Sequence, residues 1–161
     1  MSREVNKNLY VGTDADCINR KGNDWAVIHA CKTCHKRRIG YSGNLSQNHP
    51  EYLVRIEPND LYLNIVDMEE PLRPIYTNPI MAAAMKFTRD NIFMRNVLIH
   101  CNKGNSRAPS IALLYLASAS IIPKDDYSIA KKEFRKIYPL FLPARGIESY
   151  MRINWSTILD L

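Results

Sequence analysis

A cysteine and an arginine six positions apart stand in His100-Cys101-Asn102-Lys103-Gly104-Asn105-Ser106-Arg107. A thiol paired with a guanidinium joins a nucleophile to a binder of oxyanions. The run Asn96-Val97-Leu98-Ile99 before it reads as a buried strand. Ala108 through Leu116 after it reads as a helix, with Pro109 in its first turn. Strand, short polar loop and helix N-terminus together collect backbone N–H groups around an anion, and the helix dipole adds positive potential there. That field and Arg107 favour a thiolate at Cys101. Such a thiolate, beside a phosphate-sized pocket, is aimed at phosphorus. Gly104 lets the loop bend its N–H groups inward. Asn102, Lys103, Gly104, Asn105 and Ser106 are therefore the candidate phosphate cradle, and Arg107 the fork that holds two phosphate oxygens. Lys103 either favours highly charged substrates or faces solvent. His100 is read as orienting the loop rather than as a base.

Phosphoryl transfer to a thiolate also needs a proton for the leaving oxygen, so a general acid is expected from another segment. Asp67 is the best placed. It ends the apolar run Leu61-Tyr62-Leu63-Asn64-Ile65-Val66 and precedes a stretch with Pro71 and Pro74. Glu69 and Glu70 are its close rivals.

The elements around these residues alternate. Strands are expected at 9–11, 25–30, 61–66 and 97–99. Helices are expected at 14–20, 79–93, 108–116 and 123–138, and from Gly146 onward. Residues 31–50 and 67–78 read as loops, the first long enough to serve function or carry a small element of its own. This alternation predicts an α/β domain with a mostly parallel central sheet and helices on both faces. Sites in such sheets gather at the carboxyl ends of strands. His29-Ala30-Cys31, Val66-Asp67 and His100-Cys101 all fall there.

At 161 residues the chain reads as a single domain, 46% apolar and 24% charged, with a net charge of +6. No apolar run resembles a signal peptide or approaches a membrane span, so a soluble, cytoplasmic protein is expected. Basic residues cluster at Lys32–Arg38 and Lys131–Lys136. They suit anionic substrates, and nucleic acid is open to them too, although no nucleic-acid motif accompanies the charge. The four cysteines, Cys17, Cys31, Cys34 and Cys101, read as reduced thiols. Cys31-Lys32-Thr33-Cys34-His35 matches covalent haem attachment, which the expected compartment excludes, and its surroundings fit no standard zinc module. No cofactor and no metal is expected, because Arg107 and the loop amides carry the charge of the reaction.

The His-Cys-x5-Arg loop, with glycine at its third inner position, resembles the signature of the cysteine-dependent protein tyrosine phosphatases. The compact length and the Ser106-Arg107 pair are most similar to the dual-specificity branch, particularly its small bacterial and bacteriophage members. The likeness runs from Leu9-Tyr10-Val11-Gly12 to the final helices. It implies a compact three-layer phosphatase domain over residues 1–161 that works through a phosphocysteine intermediate. It implies the acid role for Asp67, since an aspartate at similar separation does this work in the family. Phosphotyrosine protein, with or without phosphoserine and phosphothreonine, is the implied substrate. A non-protein phosphate (an RNA 5′ end, a nucleotide or an inositol phosphate) and a catalytically weak phosphate-binding module are the alternatives. Two positions depart from the family. Ala108 stands where a serine or threonine hydroxyl is expected to help the thiolate leave. His29 stands where a polar asparagine commonly faces the loop.

Overall fold

The computed structural model describes residues 1–20 and 22–161. In chain order the elements are β1 (Arg3–Asn6), β2 (Leu9–Gly12), α1 (Asp14–Cys17), β3 (Trp25–His29), α2 (Lys32–Ile39), β4 (Val54–Ile56), β5 (Asp60–Leu63) and α3 (Pro74–Asn91). They continue as β6 (Asn96–His100), α4 (Arg107–Ser118), α5 (Tyr127–Ile137), α6 (Arg145–Ile153) and α7 (Trp155–Ile158). The strands form one sheet in the order β1-β2-β6-β3-β5-β4. The four inner strands run parallel, and the antiparallel pairs β1/β2 and β4/β5 close its edges. The sheet is thus mostly parallel, as the alternation of elements predicts.

Period-two alternation divides the sheet into two unlike faces. Leu9, Val11, Ala26, Ile28, Ala30, Leu61, Leu63, Val97, Ile99 and Cys101 point into one buried cluster. Ile111, Leu114, Phe134, Phe141 and Tyr150 from the helical layer complete it. The other face carries Val27, His29, Asp60, Tyr62, Leu98 and His100, and the short α1 and α2 pack against it. β6 pairs with β3 from Asn96↔Trp25 to His100↔His29, which sets the two histidines side by side.

Several boundaries differ from the expectation. Residues 31–50 are not all loop, because α2 occupies their first part. Its sequence has no apolar stripe to announce a helix, and only His35 within it is buried. What holds it is polar. His35 is bound to the Glu51 carbonyl at 2.8 Å, Lys36, Arg37 and Arg38 suit the negative end of the dipole, and Gly40 closes the helix at φ 86°. α3 begins at Pro74 rather than at Pro79. Pro74 takes the helix start, where a missing N–H costs nothing, whereas Pro79 lies inside and leaves the Ile75 carbonyl without its helical partner. β5 stops at Leu63, short of Val66; of the edge strands, β1 has Val5 as its one apolar residue and β4 is only three residues long, so neither reads as a strand. α5 starts at Tyr127, where the Asp126 carboxylate accepts from the N–H groups of Ser128 and Ile129 at 2.7 and 3.3 Å. No helix among the described residues is long and apolar enough to cross a membrane.

Candidate active site

The loop from Cys101 to Arg107 joins the end of β6 to the start of α4, at the carboxyl edge of the parallel strands. Cys101 is only 1% exposed, so a reactant must reach down to it. Its N–H donates to the Gly12 carbonyl at 3.3 Å, tying the loop to the end of β2. Gly104 has φ 71°, and a Cβ there would stand 2.9 Å from the Gly12 carbonyl oxygen. Only glycine fits, because both the backbone angle and the close approach forbid a side chain.

Outward-facing groups hold the loop from behind. The Tyr138 hydroxyl donates to the Gly104 carbonyl at 2.8 Å, and the Leu142 N–H donates to the Asn105 carbonyl at 2.8 Å. With these carbonyls bound on the outside, the amides of residues 102–106 have no backbone acceptor among the described residues. They form a set of donors over the N-terminus of α4, the arrangement that suits an anion.

Arg107 is buried and fixed on three sides. Nη1 donates to the Ile65 carbonyl at 3.2 Å, Nη2 donates to Asn102 Oδ1 at 2.8 Å, and Nε lies 3.1 Å from Asp67 Oδ2. The Nε contact is an ion pair rather than an aligned hydrogen bond. Asp67 Oδ1 accepts from Ser106 Oγ at 2.7 Å, and that hydroxyl accepts from the Ala144 N–H at 2.9 Å. The fold thus brings together Cys101, Asn102, Ser106, Arg107 and Asp67, drawn from two separate stretches. Glu69 and Glu70 are exposed and make no ion pair among the described residues. Lys103 is exposed to solvent. The two serines near Ala108 are both engaged, Ser106 with Asp67 and Ser110 Oγ with the Ser106 carbonyl at 2.8 Å.

The His100 ring packs beside His29 and lies against the backbone of Cys101. Its Nε2 lies 2.7 Å from Nδ1 of His29, whose Nε2 lies 2.9 Å from Asp60 Oδ1. Burial, reinforced by the neighbouring His29 ring, pushes the His100 pKa down to about 3, so this ring is neutral.

Sequence reasoning passed over Gly146. Its N–H donates to the Met68 carbonyl at 2.9 Å and its carbonyl accepts from Leu72 N–H at 3.2 Å. A Cβ at Gly146 would collide with the backbone carbonyls of Met68 and Glu70. The segment that carries Asp67 is therefore clamped onto the start of α6. Tyr138, which the sequence marks only as the end of a helix, is likewise part of the loop's support. A cavity of about 390 Å³ flanks the same segment without reaching Cys101, with Lys32, Tyr41, Tyr52, Met68, Arg73 and Tyr76 in its lining.

No protein-family model matches this chain, and no curated protein matches it by sequence. Solved structures do. The chain is similar to the crystal structure of DUSP15, with 14% identity, 99% of this chain and 92% of that one covered, and a TM-score of 0.66. A leucine-rich repeat and phosphatase domain containing protein from Entamoeba histolytica matches at 18% identity over 99% and 90% of the two chains, with a TM-score of 0.61. PTPMT1, solved in complex with PI(5)P, matches at 14% identity over 99% and 97%, with a TM-score of 0.63. From end to end, then, this chain has the fold of the cysteine-dependent tyrosine and dual-specificity phosphatases that its signature loop resembles.

Proposed function

We propose that the chain hydrolyses phosphate monoesters through a phosphocysteine on Cys101. The observation that carries this reading is the locked Arg107 guanidinium, set with unpaired loop amides around a buried cysteine at a helix N-terminus. The phosphate sits in the amide cradle with two oxygens on the Arg107 fork. The Cys101 sulfur attacks phosphorus in line, and the P–O ester bond breaks as the leaving oxygen takes a proton from Asp67. Water then loses a proton to the same carboxylate and attacks phosphorus, breaking the S–P bond and returning the thiolate.

Phosphotyrosine protein is the proposed substrate class, because a phosphate must reach a cysteine that is 1% exposed and an aryl stem is long enough to carry it there. An inositol phosphate is the second reading, favoured by the likeness to a structure that holds PI(5)P. The test is turnover of a phosphotyrosine peptide, a phosphoserine peptide and an inositol phosphate by wild type, Cys101→Ser and Arg107→Lys. Cys101→Ser should abolish turnover of every substrate and keep phosphate or vanadate binding. Arg107→Lys should be severely impaired, since an ammonium cannot reproduce the bidentate fork. Wild-type rates in Cys101→Ser would remove the mechanism.

A further inference from the structure

The face of the sheet opposite the main core holds a cluster that phosphoryl transfer does not use. Asp60, His29 and His100 form a chain there, with contacts of 2.9 and 2.7 Å. A carboxylate only accepts, so His29 donates to Asp60 from Nε2. With the His29 ring neutral its Nδ1 is bare, His100 donates to it from Nε2, and the His100 Nδ1 is left as a lone pair. That nitrogen is fully buried and has no partner among the described residues. A buried polar atom left without a partner calls for an explanation, and an ion is one of the few available.

Three sulfurs approach this ring in two groups. Cys31 at the N-cap of α2 and Cys34 in its first turn place their Sγ atoms within 4.8 Å of each other and of a ring nitrogen of His100, and Cys17 at the end of α1 stands within the same distance of His100 and His29. All three are free thiols, Cys31 buried and the others half-buried. His35, the nearest histidine in sequence, is not part of this cluster, because its ring is turned to the Tyr41 hydroxyl and the Glu51 carbonyl. Cys101 projects from the other side of β6 into the main core.

We propose that Cys31, Cys34 and His100 form a site for one zinc-class divalent cation, that Cys17 moves in from the end of α1 as its fourth ligand, and that Asp60 and His29 are the outer chain that orients His100. Three sulfurs and one imidazole form a recognised tetrahedral structural set, and thiolates select zinc over the hard cations. A carboxylate behind a ligating histidine is the usual support for such a ring, lengthened here by one more histidine. A cavity of about 440 Å³, with Cys17, His29, Asp60 and Tyr62 in its lining, opens onto the cluster and offers an entry path. Each thiol that ligates releases its proton to solvent. The ion joins α1 to α2 across the thinly covered face and immobilises the residue that precedes Cys101.

The test is metal content of the full chain after zinc loading and desalting. Wild type should hold about one zinc per chain. Cobalt in its place should show thiolate-to-metal charge transfer and tetrahedral ligand-field bands. Cys34→Ser should lose both signals, and Cys101→Ser should keep both. His29→Asn should weaken zinc binding by about 10- to 100-fold. An unfolded Cys34→Ser would also lose metal, so the wild type supplies a second measurement, in which a chelator should raise the number of thiols open to Ellman's reagent. A loaded wild type without stoichiometric zinc, full zinc in Cys34→Ser, or an unchanged thiol count after chelation would overturn the proposal. Loss of zinc in Cys101→Ser would overturn it too, since the ion would then sit on the nucleophile.

Discussion

The Asp67 carboxylate is shared between Arg107 and Ser106, with Oδ2 3.1 Å from the guanidinium Nε and Oδ1 2.7 Å from the serine hydroxyl. The proposed acid thus leans on the proposed phosphate clamp. On the proposed mechanism a phosphate dianion entering the loop would compete for the same guanidinium, and its arrival would free the carboxylate to meet the leaving oxygen.

Asp67→Asn should slow turnover on poor leaving groups by about 10²- to 10⁴-fold and on good ones far less. It should also tighten competitive inhibition by inorganic phosphate, because the rival anion at Arg107 is gone. Steady-state rates across a series of aryl and alkyl phosphates, with phosphate as inhibitor, read both effects. A loss independent of the leaving group in Asp67→Asn, or its appearance in Glu69→Gln or Glu70→Gln instead, contradicts the assignment.

Gly146→Ala should act at a distance on the same group. The added methyl drives into the Met68 and Glu70 carbonyls and pushes the Asp67 segment off α6. The variant should lose kcat most on poor leaving groups, in the pattern of Asp67→Asn, while phosphate still binds. Uniform loss across leaving groups would mean that the substitution merely destabilises the domain.

How much of this was legible beforehand follows from what each element depends on. Cys101, Gly104 and Arg107 sit in one contiguous loop whose flanks are strongly apolar, so chemistry and structure were written in adjacent letters. Asp67 was expected at a strand end, yet β5 stops at Leu63, and its carboxylate reaches Arg107 and Ser106 from the loop beyond. Gly146 was not legible, because its importance lies in a backbone contact with residues far away in sequence. α2 was missed because polar bonds and a glycine cap hold it rather than an apolar stripe. His35 is adjacent to Cys34 in sequence, yet the fold brings His100 rather than His35 to Cys31 and Cys34.

Ala108 makes a kinetic prediction. On the proposed mechanism, breakdown of the phosphocysteine would lack a hydroxyl to stabilise the departing thiolate, because Ala108 has none and Ser106 and Ser110 are already engaged. A hydrogen bond to a charged group is worth about 1.5–3 kcal/mol, or roughly ten- to a hundred-fold in rate. Stopped-flow assays should show a burst of alcohol release before a slow steady state. Ala108→Ser should shrink the burst and raise the steady rate. A wild type with no burst and an Ala108→Ser variant with unchanged rates would contradict this account of the second step.

Acid should destabilise the metal-free fold before the carboxylates titrate. The folded-state pKa of His100, at about 3, lies below the unfolded value near 6.5, so the unfolded chain binds the extra proton and stability falls as pH drops between those values. His35, also lowered by burial, acts in the same direction. Asp16 and Glu57, both lowered, add their losses only within and below the carboxylate range. Denaturant titrations with chelator between pH 6.5 and 5 should lose up to about 1.4 kcal/mol per pH unit for each such proton. His100→Asn should flatten that slope. An equal slope in the variant would show that His100 is not the group responsible.

The most direct test of the account is to trap the covalent intermediate. Wild type mixed with an aryl phosphate carrying radiolabelled phosphate, quenched within one turnover and digested, should yield label on the peptide that contains Cys101. Cys101→Ser should yield none, and Asp67→Asn should still accumulate it when the leaving group is good. Turnover by the wild type with no label on Cys101 at any quench time would contradict phosphoryl transfer to this cysteine.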